Sequence, residues 1–165
     1  MSILDTLIID RTQENVNRIK YLANKIKSGD ATSEEIQEYM YTSKGAYNAL
    51  DLNRVGQACS YLYGLIQDYG YILPDYVPLK TDWEMLDIPT QQEMSDYLKT
   101  VRSLKGLWGA ITAIPARMDR ISYEDANNIE RLLIEVNEQL EKVSSVFILS
   151  GAWNAFSGTS FYIKN

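Results

Sequence analysis

A heptad pattern near the end of the chain limits the possible folds more than any other feature. From Ala126 to Phe147 the apolar positions alternate in steps of three and four over three repeats. Such a stripe predicts a long helix that buries one face against other helices. This helix either is the longest core helix of an intramolecular bundle or pairs between subunits. The bundle is favoured, because other amphipathic helices are available as partners. The stripe consists of Ala126, Ile129, Leu133, Val136, Leu140, Val143 and Phe147.

Capping residues and glycines predict where the helices begin and end. Thr12, Thr32 and Thr90 precede residues typical of a first helical turn, Asp51 is predicted to cap the central helix, and Ser122 begins the heptad helix. Gly29 and Gly70 are predicted to end the first and third helices, and the second helix is predicted to end near Gly45. The predicted fold class is all-α, a helical bundle of four to five helices with short extended N- and C-terminal segments. The predicted parts are an extended N-terminal segment at 1–11, a helical bundle domain at 12–149 and an aromatic C-terminal tail at 150–165.

The long connection over residues 71–89 contains three of the four prolines, together with Trp83, Tyr71 and Tyr76. An aromatic-rich connection of this length is predicted to pack onto the core, because long loops without their own structure are uncommon in small domains.

Composition bears on which function classes to expect. The formal net charge is −6, so the surface does not supply the basic field that nucleic acid or an anionic membrane requires, and neither is expected as a partner. Histidine is absent and Cys59 is the only cysteine, predicted to be buried among apolar residues at helical spacing. Acidic residues such as Glu34, Glu35, Glu124 and Asp125 fall in first helical turns, where capping explains them. We therefore expect no catalytic residue, metal site or cofactor, and not an enzyme.

Polar residues at two helix starts suggest a structural polar network. Asp51, Asn53 and Arg54 open the central helix, and Asn127 and Glu130 open the heptad helix. A buried guanidinium needs carboxylate or amide partners. The hypothesis is that Arg54 pairs with Glu130 or an Asn beside it and fixes the register of the two helices. The alternative is that Arg54 is an ordinary solvated charge.

The tail after the heptad helix is aromatic and lacks helical periodicity. Such a segment folds back on its own domain or docks on a neighbouring subunit. The apolar N-terminal segment is a natural strand partner for its last residues, either within one chain or across subunits. The predicted interface residues are Trp153, Phe156, Phe161, Tyr162 and Ile163.

Several short motifs resemble those of a family of poorly characterised proteins encoded in phages and prophages of Firmicutes, among tail and baseplate genes. The matching segments are 10–13, 44–48, 51–56, 80–83, 87–90, 124–130 and the Ser-Gly pairs at 150–151 and 157–158. The resemblance implies a structural component of a tailed phage virion, in the tail, baseplate or fibre region, that is assembled in the host bacterial cytoplasm. It implies a homo-oligomer with other virion proteins as partners. The alternative is a prophage-encoded adaptor or regulator outside the virion, acting as a helical protein-protein interaction module.

Overall fold

All regular secondary structure in the computed structural model is helical over the residues that it describes, 2–108 and 110–150. The predicted all-α fold class is therefore confirmed. A single 3-10 turn opens the chain, and five α-helices follow, the second of which continues into a π-helical turn. In chain order the elements are the 3-10 turn Ile3–Thr6, α1 Gln13–Ser28, α2 Ser33–Gln37, the π-helical turn Glu38–Thr42, α3 Ala49–Asp68, α4 Gln91–Trp108 and α5 Tyr123–Ser150.

Local capping sets most helix ends where the sequence predicted them. Thr12 and Thr32 each accept a hydrogen bond from the backbone three residues later, and Gly29 ends α1 with a left-handed φ of 81°. The cap of α3 was predicted at Asp51, which is wrong. The side chain of Asn48 accepts hydrogen bonds from the backbone N–H groups of residues 50 and 51, and the Asp51 carboxylate accepts one from the backbone N–H of Asn48. The helix therefore begins at Ala49, and Asp51 occupies the third helical position.

Two other predicted boundaries also differ from the structure. The N-terminal segment was predicted to be extended over 1–11, but residues 3–6 form the 3-10 turn, with extended backbone at Ser2 before it and at Leu7 after it. Regular structure after α2 ends at Thr42, short of the predicted stop at Gly45. Gly45 lies against α1 instead, where a Cβ atom would be 2.0 Å from the carbonyl oxygen of Asn15. The glycine is required for this close approach, because no side chain fits there.

The three longest helices run in the same direction, with the connections returning alongside them. Arg54, near the N-terminus of α3, bonds to Glu130, near the N-terminus of α5. The return segment 71–90 lies antiparallel to α3, since Tyr76 bonds to Ser60 and the backbone of Trp83 bonds to Asn53. The segment after α4 returns in the same way, with Lys105 bonded to the carbonyl of residue 112 and Arg102 to those of residues 115 and 116.

The core lies between α3, α4 and α5 and includes the predicted heptad face. Its fully buried members include Leu62, Leu104 and Leu133, one from each helix. The heptad positions from Ala126 to Leu140 are buried, so this part of the stripe packs within the chain as predicted. Val143 is half-buried, and the side chain of residue 147 lies outside the described part. Trp83 and Leu73 are buried in the core, which confirms that the long connection packs onto it.

Candidate functional site

Four charged side chains form a buried cluster where the N-terminal segment meets α3 and α5. Arg11 Nη2 lies 2.7 Å from Asp51 Oδ1 and 2.6 Å from Glu130 Oε1. The guanidinium of Arg54 bonds to both oxygens of Glu130, each at 3.0 Å, and also to Asp51. Glu130 is fully buried, and Arg11 and Asp51 are each 4% exposed. Two positive and two negative groups balance, so the cluster carries no net charge into the interior.

The carboxylate of Glu130 is saturated with donors. Its Oε1 accepts from Arg11 and Arg54, and its Oε2 accepts from Arg54 Nε and from the backbone N–H of Ile8. The two carboxylate oxygens of Asp51 also have different donors. Its Oδ1 accepts from Arg11 and Arg54, and its Oδ2 accepts from the N–H of Asn48. The cluster therefore holds the N-terminal segment, the start of α3 and the start of α5 in one fixed arrangement.

Asn127 adds a second attachment for the N-terminal segment. Its Oδ1 accepts the N–H of Arg11 at 3.0 Å, and its Nδ2 donates to the carbonyl of Arg11 at 2.9 Å. The Arg11 guanidinium also lies 5.5 Å from the ring centre of Tyr47. This distance is that of a cation–π contact, and Arg11 Nε has no hydrogen-bond partner among the described residues.

The same kind of reciprocal attachment recurs on the connection between α3 and α4. Asn53 accepts the N–H of Trp83 at 2.7 Å and donates to its carbonyl at 2.9 Å. Thr100 Oγ1 accepts the N–H of Val77 at 3.1 Å and donates to its carbonyl at 2.7 Å. Amide and hydroxyl side chains suit this role because each carries both a donor and an acceptor. One helical side chain thus satisfies both backbone groups of a residue in an extended segment.

Of the predicted network residues, the structure brings together Asp51, Arg54, Asn127 and Glu130 around the N-terminal segment. The pairing of Arg54 with Glu130 is present, and the alternative of a solvated Arg54 is wrong. Placing Asn53 in this network was also wrong, because its side chain is used by the backbone of Trp83. Sequence reasoning missed Arg11. The available signal was that Arg11, directly before the cap of α1, is the only basic residue of the N-terminal segment 1–11.

Burial and charge both act on the titratable groups at the cluster. Burial of the Arg54 guanidinium acts to lower its pKa, but the hydrogen bonds and charge of Glu130 and the charge of Asp51 outweigh burial and raise the pKa above its ordinary value. Burial also raises the pKa of the phenols of Tyr47 and Tyr97, whose hydroxyls bond to each other beside the cluster. Arg54 therefore stays charged and both phenols stay neutral over the physiological pH range.

The remaining predicted residues have simpler outcomes. Cys59 is fully buried, as predicted, and burial raises the pKa of its thiol to about 12. Glu35 and Asp125 accept backbone N–H groups at their helix starts, as the capping interpretation expects. The predicted interface residues Trp153, Phe156, Phe161, Tyr162 and Ile163 lie outside the described residues.

Within residues 2–108 and 110–150, no three His, Cys, Asp or Glu side chains are grouped so that they could hold a metal ion. No helix in the same ranges combines enough length with enough apolarity to span a bilayer. No family model, curated protein or solved structure gives a significant match to the chain.

Proposed function

We propose that the chain is a structural component of a tailed phage virion, in the tail, baseplate or fibre region, and that it acts through subunit assembly. The phage assignment rests on the motifs that resemble the tail- and baseplate-associated family. The assembly mechanism is supported by the surface of the helical domain.

The observation that carries the proposal is a set of aliphatic side chains left exposed in the connections between helices. Ile72 is 77% exposed, Leu86 93%, Ile88 89% and Ile111 86%. Single exposed aliphatics are ordinary, but Leu86 and Ile88 are only two positions apart in the connection between α3 and α4. Apolar groups gathered in this way mark surfaces that another protein covers. A virion subunit is covered by its neighbours in the assembled particle.

The buried charge cluster suits the same role. A subunit that presents fixed surfaces loses little conformational entropy when it assembles. The cluster and the three reciprocal attachments fix segments of the chain that would otherwise be free, including the N-terminal residues before α1. They give the connections a defined position from which to present their exposed side chains.

Particles released by the bacterial strain that encodes the chain provide the test. Purified particles are analysed by quantitative peptide mass spectrometry, and the copy number of the chain is compared with that of the major tail protein. We expect a fixed, multiple copy number that survives density-gradient purification. A chain that stays in the cell lysate and is missing from purified particles supports the adaptor or regulator alternative and overturns the proposal.

A second measurement addresses the predicted aromatic tail. Light scattering compares the full chain with a chain that ends at Ser150, which removes the predicted interface residues and keeps the described helices. If the tail mediates assembly, the full chain forms oligomers and the shortened chain is smaller. Equal size for the two chains removes the tail from the assembly mechanism.

A further inference from the structure

Leu86 and Ile88 lie on a loop that is held in shape by its own hydrogen bonds and by an ion pair to Lys80. The N–H of Asp87 donates to the carbonyl of Glu84 at 3.1 Å, and the Asp87 carboxylate accepts the N–H of Glu84 at 3.0 Å. Lys80 Nζ lies 2.7 Å from the same carboxylate. These bonds close the turn between Glu84 and Asp87, and Leu86 and Ile88 are left in solvent. We call residues 82–88 the acidic loop.

The base of the acidic loop is anchored in the domain. Trp83 is buried, Asn53 holds both of its backbone groups, and Lys80 Nζ lies 4.5 Å from its ring centre. Two almost fully exposed aliphatic side chains on an anchored loop are costly to leave in water. Their rigid presentation lowers the entropy lost when a partner covers them.

A groove lies beside the first half of α4 and has the complementary character. Its volume is about 590 Å³, and its apolar lining includes Met94 and Leu98 of α4 and Met118 of the segment that returns after α4. Arg102 holds the far wall in place by donating to the carbonyls of Pro115 and Ala116 at 3.1 and 2.9 Å. Methionines adapt their shape readily, so this floor suits inserted aliphatic side chains. We call it the α4 groove.

The charges of the two surfaces are opposite. Asp82 and Glu84 on the acidic loop are exposed and have no ion-pair partner among the described residues. Arg102 at the α4 groove is exposed and likewise has no carboxylate partner within the described ranges. The groove is also lined by Arg117 and Asp119, which pair with each other at 2.7 Å, so Arg102 is its unpaired charge. An apolar loop flanked by acidic groups thus matches an apolar groove with an unpaired basic rim. Such complementarity favours one mode of docking over others.

Within one chain the acidic loop does not occupy the α4 groove, since Leu86 is 93% exposed and Ile88 89%. The loop runs directly into Pro89, which lines the edge of the groove. We propose that the acidic loop of one copy docks into the α4 groove of a second copy of this chain, with Leu86 and Ile88 inserted between the methionines. The inference deepens the proposed function of a subunit that assembles, and rests on it for its biological setting.

Disulfide crosslinking between two singly substituted chains tests the contact directly. Ile88→Cys chains are mixed with Met118→Cys chains of different mass, so that a bond between the new cysteines joins two copies and cannot form within one. The native Cys59 is buried and stays in place. We expect the mixed disulfide to form readily under mild oxidation. The control mixes Ile88→Cys with Ile111→Cys, because Ile111 is 86% exposed, more accessible than the half-buried Met118, and does not line the groove. Equal crosslinking in both mixtures overturns the proposal.

Charge exchange provides a second measurement that does not depend on cysteine. Arg102→Glu is expected to weaken self-association at least tenfold in sedimentation equilibrium, and adding Glu84→Arg to the same chain is expected to restore it. The control is Arg131→Glu, an exposed arginine on α5. Loss without restoration indicates a merely structural role of Arg102, and a full chain that is monomeric at the highest soluble concentration shows that the contact does not exist. Either result overturns the proposal.

The outcomes separate this contact from the proposed function. Association that depends on residues 151–165 and ignores the loop substitutions overturns the contact and leaves a virion role intact. A specific mixed disulfide in a chain that is missing from particles supports the contact and overturns the virion role.

Discussion

The side chain of Asn127 holds both backbone groups of Arg11, 116 positions away in sequence, at 3.0 and 2.9 Å. The pair resembles one step of a β-ladder in which a helical side chain replaces the second strand. It satisfies an extended segment that has no neighbouring strand in the described structure, and it places the Arg11 guanidinium against Asp51 and Glu130.

Removing this attachment is expected to destabilise the domain. In Asn127→Ala the N–H and C=O of Arg11 lose their partners in a buried position, and an unsatisfied buried group costs about 1–3 kcal/mol. We expect the free energy of unfolding, measured in urea by tryptophan fluorescence, to fall by about 2–4 kcal/mol. The matched control is Asn128→Ala, since Asn128 is only half-buried and its contact with Arg131 is 3.4 Å long. Equal losses in both variants would contradict the role of Asn127.

The charge cluster makes a prediction that depends on its balance. Glu130→Gln keeps the shape but leaves two guanidinium groups with one carboxylate in a buried site. Breaking a buried ion pair on one side costs about 3–5 kcal/mol. We expect a loss of this size in urea, whereas Glu138→Gln, at an exposed position of α5, should change stability by less than about 0.5 kcal/mol.

A double substitution tests whether the stability loss in Glu130→Gln comes from the charge imbalance of the cluster or from the loss of the contact between Arg54 and Glu130. Arg54→Met together with Glu130→Gln restores equal numbers of positive and negative groups, with Arg11 and Asp51 still paired. The double variant is expected to be more stable than the sum of the two single losses predicts, by at least about 1 kcal/mol in a double-mutant cycle. Additive losses would mean that the two residues act independently.

Local and non-local features differed in how well the sequence predicted them. The caps at Thr12 and Thr32 and the glycine stop at Gly29 depend on residues within a few positions, and all three were predicted. Arg11 was missed, because its partners are 40 and 119 positions away and nothing in its local sequence identifies them. Asn53 was given the wrong partner for a related reason. Spacing places a residue on a helix face, but it does not say which returning segment lies against that face.

Gly45 supports a prediction about close approach. A Cβ atom there would lie 2.0 Å from a backbone oxygen of Asn15, which cannot move without shifting α1. Forcing extra atoms into a packed site costs about 1–3 kcal/mol, and we expect Gly45→Ala to lose at least that amount in thermal or urea unfolding. Gly64→Ala is the control. Gly64 lies within α3 with nothing within 4 Å of its added Cβ, so alanine should stabilise the helix by up to about 1 kcal/mol. Similar effects at both glycines would contradict the close approach.

The buried thiol of Cys59 predicts a stability difference that depends on pH. Burial raises the pKa of Cys59 from an ordinary 9.0 to about 12 in the folded chain. Above pH 9 the unfolded thiol ionises while the folded thiol stays protonated, so the unfolded state gains stability and the folded chain loses it as pH rises. Cys59→Ala has no thiol and so lacks this pH dependence. The tyrosines that titrate in the same range are present in both proteins, so their contribution cancels in the comparison. We therefore expect the stability of the natural chain relative to Cys59→Ala to fall by about 1.4 kcal/mol between pH 8 and pH 10, which is the effect of one pH unit above the unfolded pKa. Urea unfolding at both pH values measures the difference, and a difference that does not change with pH would show that the folded thiol ionises as readily as the unfolded one.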